Sequence, residues 1–153
     1  MAITIRPLHA DDRPVWEDLF AGYATFYKVE QTAAMRETVY GWLMDADHTS
    51  NALVAQDAKG RIIGFTHYRP FVSQLKAVTN CFLDDLYVDP TARGSGAADA
   101  LIRAVGDIAR QNGWTVVRWI TADNNYRGRG VYDKLATRTP WVTYDMKPLA
   151  PRK

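Results

Sequence analysis

The chain is poor in the groups that carry disulfide, metal and nucleic-acid chemistry. Of 153 residues one is cysteine, Cys81, so neither an internal disulfide nor a cysteine metal site can form. Its three histidines, His9, His48 and His67, are scattered without ligand spacing, and no metal is expected. Nineteen basic residues stand against 17 acidic ones, a net charge of +2. That balance excludes a protein held to nucleic acid chiefly by charge. No apolar run approaches the roughly 18 residues of a membrane span, so no membrane partner is expected. Met1–Pro7 also lacks the apolar core of a signal peptide. A reducing cytoplasm is the simplest home for such a chain, with Cys81 a buried small hydrophobe at the start of a strand rather than a nucleophile. The length predicts one domain over residues 1–153, burying about 70% of its unfolded surface without staples.

What is present is a regular succession of periodic segments. Ile3, Ile5 and Pro7 alternate as a short strand. Asp11-Asp12-Arg13-Pro14 opens a helix carrying Val15, Trp16, Leu19, Phe20, Tyr23 and Phe26 at helical spacing. A second helix is expected from about Thr32 to Met44, then a strand over Ala52–Ala55, a turn at Asp57–Gly60 and a return strand over Arg61–Tyr68. Arg69–Thr79 is predicted to be a connector, and Phe82–Val88 a central strand. Leu101, Ile102, Val105, Ile108 and Ala109 form the apolar stripe of the next helix, which Asn112-Gly113 ends. Val116–Thr121 is predicted as a strand, Tyr126–Ala136 as a helix and Trp141–Met146 as a final alternating strand. The order β-α-α-β-β-β-α-β-α-β implies an α/β (α+β) domain with a mixed sheet.

One stretch has chemical content. The strand Asp85-Leu86-Tyr87-Val88 ends at Asp89-Pro90, and Arg93-Gly94-Ser95-Gly96-Ala97-Ala98 turns directly into a helix. Backbone N–H groups and the positive end of a helix dipole converge there, which suits a phosphate. Small residues at 94 and 96–98 let the ligand reach the backbone. A dinucleotide fingerprint would need a third glycine where Asp99 stands, and no P-loop lysine follows the glycines. An ordinary strand-to-helix turn, with the glycines serving shape alone, remains the alternative from the loop by itself.

Arg93, Gly96 and Ala98 match the Q/R-x-x-G-x-G/A motif of the GNAT N-acetyltransferase superfamily, and the order of elements from Ile3 to about Met146 is similar to the GNAT fold. Asn125 precedes Tyr132 by seven residues, as in the family's N-x-x-A-x-x-x-Y-x-K segment, with Gly128 in place of the usual alanine. Trp16, Leu19, Tyr23, Phe26 and Tyr27 resemble the W-x-x-L-x-x-x-Y-x-x-F-Y of a short subgroup related to yeast histone and polyamine acetyltransferases. After the tyrosine helix the usual G-F is replaced by Ala136-Thr137-Arg138-Thr139-Pro140-Trp141. The resemblance implies a mostly antiparallel sheet of about 6–7 strands with about four helices. It also implies acetyl-CoA as co-substrate and transfer of acetyl to a primary amine: a small amine, a polyamine or a lysine side chain.

Under that resemblance, backbone at Leu86, Tyr87 and Val88 holds the acetyl carbonyl and pantetheine arm, because GNAT sheets splay open at this strand. Arg93, Gly94, Ser95, Gly96, Ala97 and Ala98 take the pyrophosphate. Tyr132 is the general acid, a task that a phenol protonated at pH 7 suits, with a tyrosine merely packed at a helix surface as the competing assignment. Asp84 and Asp85 are the candidate bases; strand alternation sends them to opposite faces, and the polyamine-acetylating relatives favour Asp84. Either carboxylate instead fixes a neighbouring loop, or a water serves as base. Asn125 holds the pantetheine arm, caps its helix, or both. Tyr23, Tyr27 and Trp42 are candidates for an aromatic acceptor wall, with helical core the competing assignment. A homodimer joined through the C-terminal strand is expected, since an alternating strand with an unpaired edge invites another. A non-catalytic acyl-CoA-binding module is the alternative function, and a pure assembly protein a third.

Overall fold

The computed structural model describes residues 2–152. Five strands form one sheet in chain order: β1 (Thr4–Pro7), β2 (Asn51–Gln56), β3 (Ile62–Ser73), β4 (Val78–Val88) and β5 (Val117–Arg118). The first four are antiparallel neighbours, and β5 alone runs parallel, to β4. The helices are α1 (Arg13–Phe26), α2 (Ala33–Met44), α3 (Ala97–Gln111) and α4 (Tyr126–Leu135). The fold class matches expectation, with five strands among the described residues rather than about 6–7.

Period-two alternation sorts the strand side chains onto two helical layers. Leu53, Ile63, Cys81 and Leu83 meet Leu101, Ile102, Val105 and Ala109 of α3. Val54 and Phe65 face the other way, against Leu8, Trp16, Leu19 and Phe20, the last three from α1. Cys81 is fully buried and its thiol pushed up to about 11 chiefly by that burial, which makes it a poor nucleophile. The Arg6 guanidinium ties β1 to α1 by two bonds to Asp12, 2.7 and 2.9 Å. Thr32 caps α2 by accepting the Met35 N–H at 3.2 Å.

Three expected features differ. The strand expected over Val116–Thr121 is reduced to Val117–Arg118. Arg69–Thr79 is no connector: β3 and β4 pair as far as Ser73 and Val78 and turn through Gln74–Ala77. The backbone tightens at Ala77, φ +53°, without the glycine that such a turn usually advertises. The strand expected at Trp141–Met146 is not formed. Residues 137–152 carry neither helix nor strand and are exposed throughout, Trp141 at 80% and Tyr144 at 89%. Alternation specifies which face a strand buries but not a partner, and the segment pairs with no strand among the described residues.

Candidate active site

Strands β4 and β5 stay together for two residue pairs, Cys81 with Val117 and Phe82 with Arg118, and then part. Beyond that parting opens a groove of about 900 Å³, with Leu86, Tyr87 and Val88 of β4 on one side and residues between 122 and 132 on the other. The Asp89 N–H donates to Ile63 O at 2.7 Å. Alternation along the antiparallel ladder therefore turns the backbone of Asp85 and Tyr87 toward β3, and that of Leu86 and Val88 into the gap. Of the three expected strand donors, two keep backbone groups available, and Tyr87 contributes its ring to the groove wall.

At one end of the groove the chain passes through a 3-10 turn (Pro90–Ala92) and then Arg93, Gly94, Ser95 and Gly96 before α3 begins. Gly94 and Gly96 hold φ of +81° and +86°, a left-handed backbone that favours glycine, and a Cβ on either would project into open space. The Ala97 N–H reaches only the Ser95 hydroxyl, at 3.3 Å. The amides of Ala98 and Asp99 have no intrahelical acceptor, being in the first turn. Asp99 is paired with Arg103 at 2.6 Å, which offsets its charge beside the cradle. Backbone donors, a helix N-terminus and space left by absent side chains fit a pyrophosphate-bearing cofactor.

The opposite wall comes from residues 122–132. Asn125 caps α4: its Oδ1 accepts the Gly128 N–H at 3.3 Å, and its Nδ2 donates to Thr121 Oγ1 at 2.9 Å. Both halves of the amide are thus engaged, although the residue also lines the groove. Tyr132 lines the same wall, its ring edge-on to Trp119 at 5.5 Å. Burial, with Tyr27 adding to it, pushes its phenol up to about 12, so the hydroxyl keeps its proton at neutral pH. Tyr23, Phe26, Tyr27 and Lys28 close the groove from the end of α1. Burial first, then the neighbouring Asp85 carboxylate, pushes the Tyr23 phenol upward too.

The other candidates are placed differently. The β3–β4 register shifts between His67 and Tyr68, pairing His67 with Asp85 and Tyr68 with Leu83, so Asp84 is the extra residue. Both Asp84 oxygens are held by Arg69 Nε, at 3.0 and 3.2 Å, and the side chain lies outside the groove lining. Partial burial pushes this carboxyl upward while Arg69 draws it down. Asp85, likewise outside the groove lining, lies on the α1 side of the sheet beside Tyr23 and bonds His67 Nδ1 at 2.8 Å. Trp42 is not brought to the groove; it stacks on His48 with ring centroids 5.2 Å apart. Sequence reasoning missed His67 and Lys28. Nothing in a strand-embedded histidine signals that a register shift will set it against a carboxylate.

A parting of two parallel strands above a glycine-lined helix start suits an acyl-CoA-dependent transferase. The acetyltransferase (GNAT) family matches residues 16–136, and the chain belongs to it. It is accordingly an acyltransferase that uses acetyl-CoA. It is 28% identical over 143 residues to the D-amino-acid N-acetyltransferase HPA3 of Saccharomyces cerevisiae, covering 93% of this chain and 89% of the relative. It is 30% identical over 132 residues to the uncharacterized N-acetyltransferase YhfO of Bacillus subtilis, covering 86% and 87%. In fold it is similar to AAC(6')-Iy, solved with the bisubstrate analog CoA-S-monomethyl-acetylneamine, at a TM-score of 0.83 and 20% identity over 97% of this chain and 100% of that one.

Proposed function

We propose that this chain transfers acetyl from acetyl-CoA directly to a primary amine, with both substrates held together in one ternary complex. The observation that carries the proposal is a single groove uniting a phosphate cradle, the free backbone of Leu86 and Val88, and the Tyr132 hydroxyl. Acetyl-CoA, when bound, supplies the activated acyl group. In the transfer a C–N bond forms and the C–S bond breaks; one proton leaves the amine and one reaches the sulfur. A free alkylamine has a pKa near that of lysine, about 10.4, so it must first lose a proton. Leu86 and Val88 present N–H donors to the carbonyl oxygen, and Tyr132 delivers the proton to the departing thiolate.

Asp85 is the better assigned base. It faces Tyr23, a groove residue, whereas both oxygens of Asp84 are engaged by Arg69. The aromatic residues Tyr23, Phe26 and Tyr27 would flank the acceptor. The yeast relative is named for amino acids, which supports a small primary amine alongside polyamines and lysine side chains. The exposed segment 137–152 and the outer edge of β5 support a homodimer in which this arm covers a second copy. The buried, unpaired Cys81 suits a reducing cytoplasm.

The test is free-thiol release from acetyl-CoA with spermidine, D-phenylalanine and a lysine peptide, varying both substrates. Turnover of one of these with intersecting initial-velocity lines is the expected result. Tight CoA binding with no amine-dependent thiol release would leave a non-catalytic acyl-CoA-binding module instead.

A further inference from the structure

His67 is the one buried histidine of the three, and it sits in a chain of matched polar contacts. The Trp16 indole N–H donates to His67 Nε2 at 3.0 Å. An indole nitrogen is a donor only, so Nε2 must accept and the imidazole proton resides on Nδ1. That N–H then donates to Asp85 Oδ2 at 2.8 Å. The ring is clamped between Phe20 and Phe65, centroids 5.0 and 4.8 Å away. The Asp85 side chain is 27% exposed against 6% for His67. The carboxylate thus stands where the buried relay ends, beside Tyr23 of the groove.

A purely packing role at position 67 is met by an apolar residue without the cost of burying two polar groups. Here the two hydrogen bonds complete one another: each is possible only in the tautomer the other requires. Their joint effect is to fix the direction of one carboxylate oxygen. We propose that His67, its tautomer set by Trp16, is the positioning residue for the carboxylate that removes the amine proton. His67 touches neither substrate; it acts through Asp85. The inference rests on Asp85 being the base, as argued above.

The experiment compares His67→Leu, His67→Asn, Trp16→Phe and Asp85→Asn, using whichever of spermidine, D-phenylalanine or the lysine peptide turns over fastest. An asparagine amide places an N–H donor close to where Nδ1 lies. His67→Leu is expected to lower kcat about tenfold or more with KM for acetyl-CoA unchanged, and His67→Asn to recover most of that loss. Trp16→Phe is expected to fall between them. Side-chain ¹⁵N spectra of histidine-labelled wild-type protein are expected to show Nδ1 protonated and Nε2 bare. Wild-type kcat in His67→Leu with a crippled Asp85→Asn would overturn the positioning role alone. Equal kcat losses in His67→Leu and His67→Asn would reduce His67 to packing. An active Asp85→Asn would overturn the choice of base itself. Should the His67 variants not fold, an Nε2-protonated ring in the wild-type spectra overturns the proposal, and the bare-Nε2 ring with a slowed Trp16→Phe supports it.

Discussion

Gly128 lies directly under the side chain of Asn125: a Cβ added there would come within 2.5 Å of Asn125 Nδ2. The cap of α4 therefore occupies the space that a side chain at 128 would take. Gly128→Ala should drive Asn125 out of its capping position, losing about 1 kcal/mol of cap. It should also gain about 1 kcal/mol of helix propensity, so its unfolding midpoint in urea should barely move. Asn125→Ala loses the cap with no such offset and should be the less stable variant. Equal destabilisation of the two would show that the glycine does not accommodate the cap.

Gly96→Asp places negative charge and bulk at the start of α3, where φ is +86°. Acetyl-CoA binding, measured by calorimetry, should be abolished. Gly113 also has a positive φ, +72°, and follows the other end of α3. Gly113→Asp carries a similar backbone strain and should leave the affinity unchanged, which separates strain from phosphate repulsion.

Tyr132→Phe removes the phenol and leaves the ring packed on Trp119. We expect kcat to fall about 100-fold while affinity for acetyl-CoA stays near wild type. Undiminished turnover across pH 6–9, a window set to bracket roughly neutral conditions, would remove Tyr132 from the role of acid.

The hydrogen bonds from the Arg6 guanidinium, aided by the His9 N–H at 2.7 Å and opposed by burial, hold the Asp12 carboxyl below its usual range. A carboxyl lowered in the folded state stabilises fully above its unfolded value of about 3.9. That contribution is lost as pH falls through the folded value. Asp12→Asn should cost about 1–3 kcal/mol at pH 7. The gap between variant and wild type should narrow as the solution is acidified through that window, as followed by urea unfolding at successive pH values. A gap independent of pH would show that the pair adds nothing through its charge.

Light scattering at micromolar concentration tests the arm. The intact chain is expected at twice its 17.3 kDa, and deletion of residues 137–153 is expected to return it to the monomer. A mass near that of one chain before deletion refutes the dimer.

The parts of the fold fixed by local chemistry were legible beforehand. The α3 stripe of Leu101, Ile102, Val105 and Ala109 is buried as its helical spacing requires, and the glycine turn opens that helix. Arg69–Ser73 and Val78–Thr79 were not recognised as strand. Val72 and Leu75 point to solvent there, and the alternation that marks a half-buried strand is blurred at the hairpin tip. Trp141–Met146 differs the other way: it alternates well, yet pairs with no strand among the described residues.

The sequence by itself determined the helices, the phosphate-fitting turn, and the pairing of Asn125 with Tyr132 on one short helix. All of these depend on neighbours within a few residues. Only tertiary structure decided which partner each carboxylate meets, because one register shift between β3 and β4 sends Asp84 to Arg69 and Asp85 to His67. The groove itself is likewise a tertiary outcome: it exists because β5 pairs for two residues and then leaves β4 with open backbone. Side-chain facing along a strand has a period of two, so a single inserted residue reverses it. The spacing of residues in the chain carries no mark of where that insertion falls.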